Sequence, residues 1–322
     1  MSVTAGPSLA PAPAGRRRPA PVGAWTSRLL FLNVVVECLI VVTGGVVRLT
    51  GSGLGCPTWP QCVPGSYTPT VEQAEGFHKY IEFGNRTLTG LVGLVALACL
   101  VAVVRSGRFD LVKWAALVIG GILVQAVIGG ITVHMDLHPG IVMTHFLVSM
   151  LLVSAATVLW TRGREPAGPR EAGVRREVRG AAWLAAALLG AVLVVGTVVT
   201  GAGPHSGDAE EPARFMLDPR TVSWLHADLV MGFTGLVIGL VVALRVLPSA
   251  PPRARRASVV LLVATLAQGL VGYTQYFTGL PWVLVAVHMA GACVLVVAMV
   301  RVLTAMTRPV AAPADRETRV HA

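Results

Sequence analysis

Hydrophobic residues run along this chain in long blocks, not in strand-like alternation. Eight blocks, near 29–49, 83–104, 114–133, 141–160, 181–201, 223–244, 257–277 and 282–304, are each long enough to cross a bilayer, which takes about 20 residues of helix. The lack of alternation argues against a β-barrel. The pattern predicts an all-α integral membrane protein with eight transmembrane helices.

The blocks repeat. Shifted by 143 residues without a gap, "QAVIGGITVHMDLHPGIVMTHFL" falls on "QGLVGYTQYFTGLPWVLVAVHMA", so that Gln125 meets Gln268, Gly129 meets Gly272, Leu137 meets Leu280 and His145 meets His288. The ends of the first and fifth blocks also rhyme, "GGVVRLTGSG" against "GTVVTGAG". Two four-helix bundles in parallel repeat are the natural arrangement. The chain then divides into an Ala/Pro-rich, disordered N-terminus (1–24), a first half (25–161), a basic linker (162–180), a second half (181–304) and an unstructured tail (305–322). Three Arg precede the first block, yet its length and lack of a small-residue cleavage site mark it as a retained span.

Composition agrees: of 322 residues, 54% are hydrophobic and 13% charged. The net charge of +10 would suggest nucleic acid, but its distribution excludes that partner. Lys and Arg number 21 in one alternating set of loops and flanks against 5 in the other, the positive-inside pattern of a multi-pass protein in the cytoplasmic membrane with both termini in the cytoplasm.

Polar residues inside the apolar blocks locate the chemistry. His226, His288 and His145 lie at similar depth near the outer ends of their spans. Imidazole in hydrocarbon is costly unless it is hydrogen-bonded or ligates a metal; an interhelical contact would account for one such residue, less readily for three. No Cys joins them and carboxylates are scarce at that depth, so a His pair facing across a bundle suits axial ligation of heme iron better than a zinc site. His226 and His288 form such a pair in the second half, and in the first half His145 faces the position of Asn85. Arg48 and Arg86 stand where heme propionates would want cations. Glu82 and Asn85, in "IEFGNR", share a helix face, and Glu82 with Arg86 could equally bond each other at (i, i+4). Cys56 and Cys62 bracket an outer loop where a disulfide is plausible; Cys38, Cys99 and Cys293 lie within spans as apolar packing. His205, His321 and the acidic group Asp208, Glu210 and Glu211 carry no assigned role.

With "TGGVVRLTGSGLGCPTWPQC" (43–62), "IEFGNR" (81–86), "LHADLV" (225–230) and the Gln-to-His repeats, the sequence resembles the heme A synthase family over all eight spans. The resemblance implies oxidation of the C8 methyl of heme O to the formyl group of heme A, through a hydroxymethyl stage, for cytochrome oxidase assembly. It implies heme b on His226 and His288, the substrate site at Asn85 and His145, an essential carboxylate at Glu82 and an outer-loop cysteine pair at Cys56 and Cys62. It further implies heme O delivered by a protoheme farnesyltransferase, itself a candidate physical partner, and leaves room for a homo-oligomer within the membrane lipid. Much of the family has His where this chain has Asn85. An amide is a poor iron ligand, so the first-half iron would be held by His145 with the opposite position open, unless His78, His134 or His138 substitutes. The competing class is a two-heme membrane cytochrome b that only carries electrons; it would favour hemes on both membrane sides and four His.

Overall fold

The computed structural model describes residues 19–310, apart from 206 and 209–212. Eight helices account for most of it: α1 (Ala24–Leu49), α2 (His78–Arg105), α3 (Val112–His134), α4 (Pro139–Gly163), α5 (Arg176–Ala202), α6 (Pro219–Val246), α7 (Pro252–Phe277) and α8 (Trp282–Ala305). All eight are long and apolar enough to cross a membrane, and large side chains such as Leu94, Leu123, Leu151 and Leu270 face outward. That is a lipid-facing surface, since lipid-exposed apolar groups cost nothing in hydrocarbon. The chain is a multi-pass membrane protein.

Helix bounds follow two offsets. An offset of 141 carries α2, His78–Arg105, onto α6, Pro219–Val246, and an offset of 143 carries the end of α3, His134, onto the end of α7, Phe277. The α3–α4 and α7–α8 turns correspond residue for residue. Asp136 and Leu137 have positive φ, as do Gly279 and Leu280. Leu137 N–H bonds the Thr132 carbonyl at 2.9 Å, and Leu280 N–H bonds the Gln275 carbonyl at 2.8 Å. Two leucines in the left-handed region, which β-carbons disfavour, at equivalent turns tie the halves together more closely than apolar matching does.

Sequential helices pack as hairpins, and α1, α4 and α8 meet along the seam between the halves. Gly45 lets α1 approach α8, because a β-carbon there would run into Met289. The turns before α2, α4, α6 and α8 lie at one end, called here the disulfide face; the other is the basic face.

Two predicted boundaries shift. Helix α2 starts at His78, not 83, because its polar head is braced: Lys79 Nζ donates to the Thr70 carbonyl at 2.6 Å, and His78 Nδ1 pairs with Ser52 Oγ at 2.8 Å. The segment after 305 is not all unstructured, since Thr307–Pro309 forms a strand, β2, antiparallel to β1 (Arg170–Ala172) in the basic linker. Glu165 fastens this junction by pairing with Arg162, with Arg170 at 2.6 Å and with Arg253. One carboxylate thus gathers two repelling cations of the linker and a third from the start of α7, and the strand forms beside them. His321, Glu210 and Glu211 and most of the predicted termini lie outside the described residues.

Candidate functional site

Four positions near the disulfide face share one construction. Each carries a side chain faced by glycine on the adjacent helix. A β-carbon on Gly129 would lie 3.6 Å from His145 Cε1, on Gly272 3.2 Å from His288 Cε1, and on Gly196 3.0 Å from His226 Cε1. The fourth is Gly44, where a β-carbon would lie 3.6 Å from Asn85 Nδ2. Asn85 therefore stands where His226 stands in the other half, on α2 and α6 at the same turn. Absence of a side chain opposite lets each ring or amide rest on a neighbouring backbone, which fixes its direction.

The two histidines of α4 and α8 are also held alike from behind. Gln125 Nε2 donates to the His145 carbonyl at 2.8 Å, and Gln268 Nε2 donates to the His288 carbonyl at 2.8 Å. Nδ1 of His145, His226 and His288 is enclosed with no hydrogen bond of good geometry, although the Val192 backbone faces His226. His226 and His288 lie close enough to interact electrostatically. Buried imidazoles whose direction is set by glycine cradles and whose rings no side chain claims are suited to axial ligation of heme iron. These residues fit heme. Helix α6 enters from a defined cap: Asp218 accepts from Thr221 N–H at 2.9 Å and Oγ1 at 2.6 Å, and those two donors hold its carboxyl below the usual carboxylate range.

At the first half, Asn85 Oδ1 accepts from Thr43 Oγ1 at 2.8 Å, which turns the amide toward α1. The three candidate substitutes are occupied or remote. His78 is tied to Ser52, the ring of His138 caps its own helix by accepting from Gly140 N–H, and His134 is exposed.

Glu82 and Arg86 do bond each other, but together they hold the loop above. Cys56 and Cys62 are joined as a disulfide. Glu82 Oε2 accepts the Cys56 N–H at 2.7 Å, while Oε1 takes Arg86 Nη2 at 2.6 Å. Arg86 also donates to the carbonyls of Cys56 at 2.8 Å, Thr58 at 2.9 Å and Gln61 at 3.3 Å. Its donors are thus committed to the loop, not left free for a propionate. Trp59 is thereby pressed onto Gly130, whose β-carbon would meet the indole, one residue from the Gly129–His145 contact. The disulfide loop thus packs on α3 beside the Gly129–His145 contact.

Arg48 is similarly engaged. Its Nε donates to the His205 carbonyl at 2.8 Å and its Nη2 to the Thr200 carbonyl at 3.2 Å. His205 Nε2 in turn meets the Leu280 carbonyl at 3.1 Å, and Ser52 bridges Asp208. The outer loops of the two halves interlock around Arg48. The sequence set His205 aside and gave no role to Thr43, Trp59 or Gly44. The rhyme of Gly44 with Gly196 was the available signal for the last.

Comparison with known proteins agrees with this construction. Residues 27–300 match the family described as cytochrome oxidase assembly protein. Curated relatives include the heme A synthase of Shewanella oneidensis, 29% identical over 42% of this chain and 45% of that protein. That of Exiguobacterium sp. is 36% identical over 38% and 39%, and that of Hyphomonas neptunium 28% over 56% and 61%. The matched stretches thus span about two-fifths to three-fifths of those relatives' length. A protein named protoheme IX farnesyltransferase, from Haloarcula marismortui, is 35% identical over 32% of this chain and 21% of its own.

Proposed function

The chain belongs to the cytochrome oxidase assembly family, and from that premise we propose that it is a heme A synthase, oxidising the C8 methyl of heme O to a formyl group through a hydroxymethyl stage. The observation that carries this is the set of four glycine-faced positions, in which three are imidazole and one, Asn85, is not. Two equivalent sites with one ligand changed suit a protein whose halves do different work. His226 and His288 hold heme b in the second half; when bound, it supplies one-electron redox chemistry at its iron. Heme O is the substrate in the first half, where His145 is the one imidazole of that half's two glycine-faced positions.

The chain's own residues set the rest. Gln125 and Gly129 fix His145 on its helix. Thr43 keeps the Asn85 amide turned toward α1, so that it would not compete with His145 for the iron of the substrate. Glu82, anchored by Arg86 and the Cys56 amide, presents fixed negative charge one turn from Asn85, where positive charge developing on the reacting carbon would be stabilised. With both oxygens held, the carboxylate acts better as a stationary charge than as a mobile base. Trp59 and the disulfide loop limit water entry. The termini and the basic face lie in the cytoplasm, by the distribution of Lys and Arg, which places the sites near the outer face. The likeness to part of a protoheme farnesyltransferase supports heme O as the substrate and the farnesyltransferase as its donor.

The test is co-expression with a heme O-producing farnesyltransferase in a host that makes no heme A, followed by heme extraction and mass-resolved chromatography. Heme A or its hydroxymethyl precursor above the farnesyltransferase-only control is expected. A well-expressed, heme-loaded chain yielding only heme B and heme O would favour the electron-carrying cytochrome instead.

A further inference from the structure

Two buried polar side chains belong to neither candidate site. Asn33 and Glu37 are one turn apart on α1, 0% and 3% exposed. Asn33 Oδ1 and Nδ2 and Glu37 Oε1 have no hydrogen-bond partner. Their face of α1 continues through Val41 to Gly45, which touches Met289 of α8, so they sit in the seam between the halves.

Neighbouring elements do not satisfy them. On α4 the hydroxyls of Ser154 and Thr157 are already bonded to the carbonyls of Met150 and Val153. No titratable group lies on α4 between His145 and Arg162. On α8 only Cys293 lies between His288 and Arg301, and on α2 only Cys99 between Arg86 and Arg105. Cys293 faces Cys38 of α1. Arg301 is stationed over Trp160 at the basic face. Among the described residues no cation pairs with Glu37, and an ionised carboxylate without one is disfavoured in such an interior. A neutral carboxyl and an amide one turn apart, both buried with unpaired donors and acceptors, are the groups that buried water satisfies.

We propose that Asn33 and Glu37 form an internal proton site: Glu37 carries a proton, one or two waters bridge it to Asn33, and the proton exchanges with bulk water from the basic face. Exchange runs through Asn33, the pair's end nearer the basic face: it lies nine residues from Ala24, about 13 Å of helix, whereas the pair's other end, Glu37, lies twelve from Leu49, about 18 Å. Thr43, which holds Asn85, is six residues beyond Glu37, about 9 Å along the same helix. A proton store therefore sits beneath the first-half site, and this placement holds whatever reaction occurs there.

The test is infrared spectroscopy of the full, heme-loaded chain in lipid nanodiscs, in H2O and after transfer to D2O. A C=O band of a protonated carboxyl, above the amide I band, is expected, and it should shift down in D2O. Glu37→Gln removes it; Asn33→Leu moves it upward by removing the water's partner. Should Glu37→Gln fail to fold, carbon-13 glutamate labelling of the wild type assigns the band. Glu82, paired with Arg86, is the internal contrast and contributes only carboxylate bands. Absence of a protonated-carboxyl band, or a band unmoved in D2O after the helix-end amides have exchanged, overturns the proposal.

Discussion

At the scale of single residues, the charged groups at the disulfide face work on backbone carbonyls. Arg86 is the clearest case. Its replacement, Arg86→Gln, leaves Glu82 without its cation and removes donors from the Cys56, Thr58 and Gln61 carbonyls. A loss of about 2–3 kcal/mol is expected, less than for a fully enclosed pair because Arg86 is partly exposed. The thermal midpoint in detergent should fall, and Cys56 and Cys62 should become alkylatable at lower reductant concentration. An unchanged reduction profile would mean that the anchor does not restrain the loop. For Asn85 the expected outcome is a gain of ligand. The histidine variant, Asn85→His, meets Gly44 as His226 meets Gly196, so it should convert the first-half iron to a six-coordinate, low-spin state and slow formation of heme A. Optical spectra of the purified variant read the first effect and pigment extraction the second.

At the scale of elements, the glycine cradles grade themselves. The nearest would-be β-carbon contact is 3.0 Å at Gly196, then 3.2 Å at Gly272 and 3.6 Å at Gly129. Gly196→Ala should therefore displace its histidine most and lower bound heme b most, Gly272→Ala less, and Gly129→Ala should be tolerated. Heme-to-protein ratios of the three purified variants check the order. Much of this was legible beforehand. The apolar blocks gave eight helices, and the 143-residue offset aligned Gln125, Gly129 and His145 with their partners because turns and ligand positions tolerate few residue types. What could not be read was long-range pairing to backbone. Nothing in the residues around Arg48 or Arg86 announces that loop carbonyls will return to meet them, so both looked like propionate partners. Asn33 and Glu37 were hidden for a different reason, since two polar residues in a 21-residue apolar block, 29–49, barely dent its hydropathy.

At the scale of the whole molecule, the two halves are fastened at both ends and joined in the middle. Arg48 and the Ser52–Asp208 bridge interlock the loops at one face, while Glu165 and the β1–β2 strands fasten the other. Glu165→Ala releases Arg162, Arg170 and Arg253 together, and their mutual repulsion should open the junction. Faster proteolysis between 164 and 175 is expected, with a loss of about 1–3 kcal/mol. Unaltered cleavage would show that the strands hold the junction alone. Fastening at both faces matters because α1, α4 and α8 form a seam across which the two sites must keep their relative position.

In the function proposed above, one repeated construction would hold two hemes whose iron coordination differs at Asn85. Low-temperature electron paramagnetic resonance of the oxidised, purified protein loaded with both hemes tests it most directly. One low-spin, bis-imidazole signal from His226 and His288, lost in His288→Ala, is expected together with one high-spin signal that survives that substitution and is lost in His145→Ala. Two low-spin bis-imidazole signals would contradict it, since a second imidazole would then have to stand where the structure places the Asn85 amide.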